Sequence, residues 1–270
     1  MGGLSSRFNT LSEVSGSVPP LSGRLRRARS TPIYVRPPPA CVRVGGRAGR
    51  GERAAPLLRV SPHGPFQQST ETMASHDHLV IFLHGIGASG AQLMPLASSW
   101  RPKLPNTRFA APDAPMHHRY GHQWFSTEGN PLDPARIRTA REAFDVLISD
   151  VVRREGFAEA HDRVAFVGVS QGAIVALDAV ASGRWHVVAL VAFSGLLPPQ
   201  AISPSGKSTP ILLVHGENDT TIPPMASRLA AAQLGTAGFK VELDVERGTG
   251  HTISSAGAQK ALSFLKRNLH

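Results

Sequence analysis

The chain has 270 residues, a formal net charge of +10 and one cysteine. That length allows one large α/β domain or two small ones. The single cysteine excludes an internal disulfide, no Cys/His spacing matches a zinc site, and no apolar run approaches the roughly 18 residues that span a bilayer.

The charge is unevenly spread. Residues 1–72 hold eleven Arg, no Lys and three acids (Glu13, Glu52, Glu71), so 11 − 3 leaves +8 there and +2 for the other 198 residues. The basicity belongs to the front segment, so no nucleic-acid partner is expected for the folded part. The one cysteine, Cys41, lies in that segment too. A thiol nucleophile elsewhere is excluded, and the usage fits a reducing compartment, so a cytoplasmic location is expected. The segment is rich in Arg, Pro, Gly and Ser, which predicts a disordered basic extension. Two other readings fit the same residues: an organellar transit peptide, or a translation start at Met73. Arg26-Arg27 lacks the apolar stretch that a twin-arginine signal needs. The folded domain is expected over residues 73–270.

From Leu79 onward, short apolar runs alternate with amphipathic stretches, which predicts βα units and a mainly parallel sheet. Leu79–Leu83 reads as a buried strand. The glycines that follow, Gly85, Gly87 and Gly90, form G-x-G-x-x-G, the dinucleotide-binding fingerprint. Taken with His84, the same residues form the H-G-x-G oxyanion loop of a serine hydrolase. A second strand is expected at Arg108–Ala111. His76 and His78, and further on His117, His118 and His122, read as plain loop histidines. No carboxylate–His pattern accompanies them, so no metal is expected. The longest helix, Pro134–Glu155, repeats Ala140, Ala143, Phe144, Leu147, Ile148 and Val151 at three- and four-residue spacing. Asp145 and Asp150 on it, and Asp178 further on, read as parts of solvated helix faces.

Val164–Val169 reads as a strand and Gly172–Ser182 as a helix. Between them lies Gly168-Val169-Ser170-Gln171-Gly172. A strand, then G-x-S-x-G, then a helix is the setting of a nucleophile elbow. The glycines keep bulk away from a tight turn that lifts the Ser170 hydroxyl and aims the Gln171 amide at a reacting carbonyl. Strands are predicted at Val187–Phe193 and Pro210–Val214. The connection between them carries Pro198, Pro199 and Pro204 and is too short for a large helical lid, so an open site is expected. His215 ends the second of these strands and reads as packed. Helices at Met225–Leu234 and Gly257–Asn268 flank a strand at Lys240–Val245, which holds Asp244; His270 is terminal.

A serine hydroxyl is a poor nucleophile near neutral pH and needs a base held by an orienting acid. On this architecture the chain order is Ser, then Asp or Glu, then His. Asp219 follows Ser170 by 49 residues and a strand, and His251 follows Asp219 by 32 residues and another strand. Glu217 is the alternative carboxylate.

Six stretches in order, "FLHGIGASG", "FAAPDAP…HQWFS", "VGVSQGA", "FSGLLP", "VHGENDTTIP" and "GTGHTI", resemble the phospholipase/carboxylesterase family of α/β-hydrolases, which includes the acyl-protein thioesterases. The resemblance runs from Leu79 to the C-terminus. It implies the α/β-hydrolase fold: a mainly parallel sheet, helices on both faces and no large lid. It implies a serine hydrolase that cleaves carboxylic esters through an acyl-serine intermediate and needs no cofactor. Thioesters and lysophospholipids are alternative substrates. Ser170 would be the nucleophile, His251 the general base and then acid, and Asp219 its orienter. The amides of Ile86 and Gln171 would form the oxyanion hole. Trp124 would line the acyl or alcohol side of the cleft, with Ile222 bordering the same groove. Family members often carry acids where this chain has Ser89 and Gln92.

Two rivals remain open. One is a non-catalytic member of the fold with a misaligned triad. The other is a dinucleotide-dependent oxidoreductase, which wants an acid about 20 residues beyond the glycines. "WRPKLPNTR" (residues 100–108) contains none, and Asp113 lies 28 residues past Gly85.

Overall fold

The computed structural model describes residues 76–130, 133–199, 201–203 and 208–269. The readings of residues 1–72 and of His270 fall outside that range. The first strand, β1 (His78–Leu83), leads through a short turn into α1 (Met94–Trp100) and β2 (Thr107–Ala110). A hairpin of β3 (Met116–His118) and β4 (Gly121–Gln123) precedes the long helix α2 (Pro134–Arg154). Then come β5 (Val164–Val169), α3 (Gln171–Ala181), β6 (Ala189–Phe193), β7 (Ile211–Gly216), α4 (Met225–Thr236), β8 (Val241–Glu246) and α5 (Ser255–Asn268).

Six strands form one sheet in the order β2-β1-β5-β6-β7-β8, and every neighbouring pair is parallel. Parallel strands covered on both faces read as near-continuous apolar runs, and β1, β5, β6 and β7 do so apart from His78, His215 and two glycines. On β1, Leu79, Ile81 and Leu83 join one core with Phe144, Phe166 and Leu177, under α2, α3 and α4. Val80 and Phe82 face the other way and pack with Trp100, Phe193 and Phe264, against α1 and α5. Each such buried side chain contributes about 1.5–3 kcal/mol. The edge strand β8 alternates instead, with Glu242, Asp244 and Glu246 on one face. Arg267 and Lys260 pair with the first two. Charge along an edge discourages pairing with another sheet.

Two helix starts follow local chemistry. The Asp133 side chain accepts from the amides of Ala135 and Arg136, and Pro134 opens α2. Ser254 caps α5 by accepting from Gly257 N. α1 and the β3–β4 hairpin were not anticipated from sequence. No α-helix lies among the described residues between β6 and β7. Among the described residues no helix is long and apolar enough to cross a membrane.

The strand order fixes where a ligand can sit. The chain leaves β1 toward β2 on one side and leaves β5 toward β6 on the other. The C-terminal ends of β1 and β5 therefore flank a topological switch point, where open parallel sheets leave a crevice.

Candidate active site

Ser170 stands at that crevice, directly after β5, with φ 52° and ψ −116°. A non-glycine residue at positive φ costs of order 1–3 kcal/mol and persists only where its surroundings fix it. Ser170 N donates to Phe193 O at 2.9 Å, and Ser170 O accepts from Ile174 N at 3.0 Å. The flanking glycines are required by space. A Cβ on Gly172 would lie 2.1 Å from Leu83 O, and one on Gly168 would lie 2.6 Å from the Ala173 backbone.

Three strands bring three distant side chains to this edge. His251, past β8, sets Nε2 at 2.9 Å from Ser170 Oγ. Its Nδ1 lies 2.7 Å from Oδ2 of Asp219, past β7. A carboxylate can only accept, so Nδ1 carries the hydrogen and Nε2 keeps its lone pair toward the serine. Oδ1 of Asp219 accepts from the amides of Thr221 and Ile222, both at 2.9 Å. Burial pushes the Asp219 carboxyl up, but the Ile222 amide, the His251 ring and the Thr221 amide together outweigh it and hold the group below its ordinary range. The carboxylate is therefore kept ionised although its side chain is fully buried. Glu217, the alternative acid, is exposed.

The loop after β1 is held from three sides. The His84 ring donates from Nδ1 to Gly85 O at 2.7 Å and accepts at Nε2 from Ala114 N at 2.9 Å. Burial pushes its pKa below the ordinary value, more than the Gly85 carbonyl and the nearby Asp113 charge raise it. Gly85 O also accepts from Ala88 N at 3.2 Å. A trans peptide points its carbonyl and its N–H in opposite directions. With the Gly85 carbonyl held by two donors, the Ile86 N–H faces away from them. Gly87, at φ 73°, donates to His122 O at 2.8 Å, and His122 N returns to Ala88 O at 2.9 Å. The small hairpin is thus stitched to the glycine loop. Gln171 N opens α3, where an amide has no partner within the helix.

A groove of about 300 Å³ lies over these groups. Its walls include His84, Ile86, Leu93, Ser170, Thr221 and His251, and Ile86 is 39% exposed. Trp124, expected to line it, is only 1% exposed and is not among its walls. Its indole packs against His84 on one side and Phe144 on the other and donates to His84 O at 2.8 Å. Trp124 is a partition beneath the groove, a placement that needed the folded hairpin to be visible. Ile222 acts through its backbone, by the amide on Asp219. A second cavity of about 250 Å³ is lined by Phe125, Ile137, Ile174, Leu196 and Phe144, the ring that Trp124 packs against.

One further reading is corrected. Asp178 is not on a solvated face: it is 7% exposed, bound by Arg141 at 2.9 and 2.7 Å and by Arg184 at 2.7 Å. Asp145 stays partly exposed but accepts from Trp185 Nε1 at 2.7 Å and from Arg184. Sequence reasoning also missed the Gln171 side chain. It accepts from Trp124 N and donates to Phe125 O, each at 2.7 Å. Among the described residues no group of three or more His, Cys, Asp or Glu could hold a metal ion. After the glycines the chain makes a 3-10 turn at Gly90–Leu93 and enters α1 at Met94.

Fold and crevice together define a serine hydrolase of the α/β-hydrolase class. A family model described as phospholipase/carboxylesterase matches residues 67–269, and the chain belongs to that family. A probable carboxylesterase of Oryza sativa subsp. japonica is 28% identical over 214 residues, covering 73% of this chain and 79% of the relative. An acyl-protein thioesterase 1 homologue of Dictyostelium discoideum is 25% identical over 213 residues, covering 73% of this chain and 93% of the relative. The solved structure of esterase PE8 aligns at TM-score 0.63 and 31% identity, over 72% of this chain and 94% of that one.

Proposed function

We propose that residues 73–270 form a catalytic domain that hydrolyses carboxylic esters through an acyl-serine intermediate. The observation that carries this reading is the unbroken run of contacts from Asp219 through His251 to Ser170. His251 Nε2 takes the Ser170 proton as Oγ attacks the carbonyl carbon. The amides of Ile86 and Gln171 hold the oxyanion, each such donor contributing about 100- to 1000-fold in turnover. The tetrahedral intermediate collapses, and the imidazolium gives its proton to the departing alkoxide. Water then gives a proton to the same nitrogen and attacks the acyl-serine. A second collapse releases the acid and returns the proton to Ser170. Asp219 keeps the ring in the tautomer that both halves need.

Thioesters belong to the same reading, since a thiolate leaves by the same route, and the Dictyostelium relative's name supports them. A cytoplasmic location is supported by a chain with a single cysteine. Cell fractionation tests it, and recovery with sealed organelles would overturn it. The function is tested by turnover of a short-chain nitrophenyl ester. Ser170→Ala is expected to lower kcat on the order of 10⁶-fold, as removal of a nucleophile from such a unit does. A folded Ser170→Ala protein with undiminished turnover would overturn the mechanism.

A further inference from the structure

One buried histidine has no part in the mechanism above yet touches its acid. His215, the fifth residue of β7, has a side chain with no exposed surface. Its Nε2 lies 2.8 Å from Ile222 O and 3.2 Å from Asp219 Oδ2. Both neighbours are acceptors only, so Nε2 must carry the hydrogen. Nδ1 then holds the lone pair and accepts from Ser227 Oγ, on α4, at 2.6 Å. Ser227 is itself buried, with 2% exposure, and so is bound to one orientation by this contact.

Asp219 sits on a loop, with no regular element of its own to position it. The Ile222 carbonyl is held by the His215 ring, while the Ile222 amide donates to Asp219 Oδ1. The ring thus ties the end of β7 to the turn that grips the carboxylate. Its N–H edge also lies beside Oδ2, the oxygen that His251 uses. Oδ1 thus has two amide donors and Oδ2 has the His251 ring, with the His215 Nε2, whose one hydrogen goes to Ile222 O, lying beside it. The series runs Ser227, His215, Asp219, His251, Ser170.

We infer that His215, itself held by Ser227, is a positioning residue for the catalytic acid: it fixes the 219–222 turn and so the direction of the carboxylate toward His251. The inference rests on the acyl-serine reading. It extends that reading to two residues that touch neither substrate nor the serine. A displacement of about 1 Å in such a unit costs on the order of 100-fold in rate, while every groove wall but Thr221 lies off that turn.

The test compares His215→Leu, His215→Gln, Ser227→Ala and Ser170→Ala for kcat and KM on a nitrophenyl ester, each with a thermal unfolding curve. His215→Leu is expected to lower kcat by about 10- to 100-fold with KM unchanged. His215→Gln, whose amide can still donate to Ile222 O, is expected to recover most of that loss. Ser227→Ala should give a smaller fall in kcat, again at constant KM. If His215→Leu does not fold, His215→Gln and Ser227→Ala decide: wild-type kcat in Ser227→Ala beside a His215→Gln kcat no better than about a hundredth of wild type overturns the inference. A folded His215→Leu with wild-type kcat overturns it as well, as does a loss that falls on KM alone or one that Gln fails to restore. Inactive Ser170→Ala beside these results leaves the acyl-serine reading standing, whereas active Ser170→Ala removes both.

Discussion

Replacing Asp219 by Asn changes one atom and should disable the site through a tautomer. Two amides, from Thr221 and Ile222, donate to Oδ1 at 2.9 Å. The asparagine must put its oxygen there, because its NH2 in that place would face two donors and forfeit two buried hydrogen bonds at about 1–3 kcal/mol each. The NH2 then takes the place of Oδ2, 2.7 Å from His251 Nδ1. An amide NH2 only donates, so Nδ1 has to accept, and the ring hydrogen moves to Nε2. That nitrogen, 2.9 Å from Ser170 Oγ, is left without the lone pair that would receive the serine proton. A wrong tautomer of this kind lowers kcat about 10⁴-fold, which at 1.36 kcal/mol per decade is roughly 5.4 kcal/mol of transition-state stabilisation. The assay is nitrophenyl ester turnover, with the folded fraction checked by thermal unfolding. A folded Asp219→Asn protein that keeps more than about a tenth of wild-type kcat would refute the assignment of the acid, since the flipped amide that would leave the base intact forfeits both backbone hydrogen bonds.

Three other outcomes are expected. Burial holds the His84 ring neutral below its ordinary pKa of 6.5. The unfolded chain takes up a proton there first, so stability should fall as pH drops below about 6.5 until the folded ring titrates too. Urea unfolding should find that slope reduced in His84→Gln, and an unchanged slope contradicts the assignment. Gly172→Ala puts a Cβ 2.1 Å from Leu83 O and should cost about 3 kcal/mol, the upper end for overpacking; a wild-type denaturant midpoint would count against the packing of α3 on β1. Trp124→Leu thins the wall between the groove and the second cavity, so hydrolysis of long-chain esters should rise relative to short-chain ones. An unchanged ratio in folded protein would mean that the partition does not limit acyl length.

Much of the fold was legible because its signals are local. β1, β5 and β7 are buried on both faces, so each reads as an unbroken apolar run, and the elbow glycines answer to contacts one turn away. The order elbow, carboxylate, histidine could be read from strand ends alone. Other elements gave no such signal. α1 spans only seven residues and buries two of them, Ala97 and Trp100, too few for a helical period to stand out. The β3–β4 strands have three residues each and are held by pairing with the glycine loop.

The side-chain environments depended on contacts that no spacing encodes. Asp178 looks like a surface residue on its own helix. It becomes buried because α2 brings Arg141 against it from 37 positions away. Trp124 looked like a cleft wall and proved to be a support, since the hairpin folds its ring under His84. His215 read as packed, and it is, but against the carboxylate four residues further on. The sequence supplied the candidate residues and their chain order. The sheet order β2-β1-β5-β6-β7-β8 decided which of them meet, because it alone sets which strand ends are neighbours, and burial at that edge decides which groups stay charged.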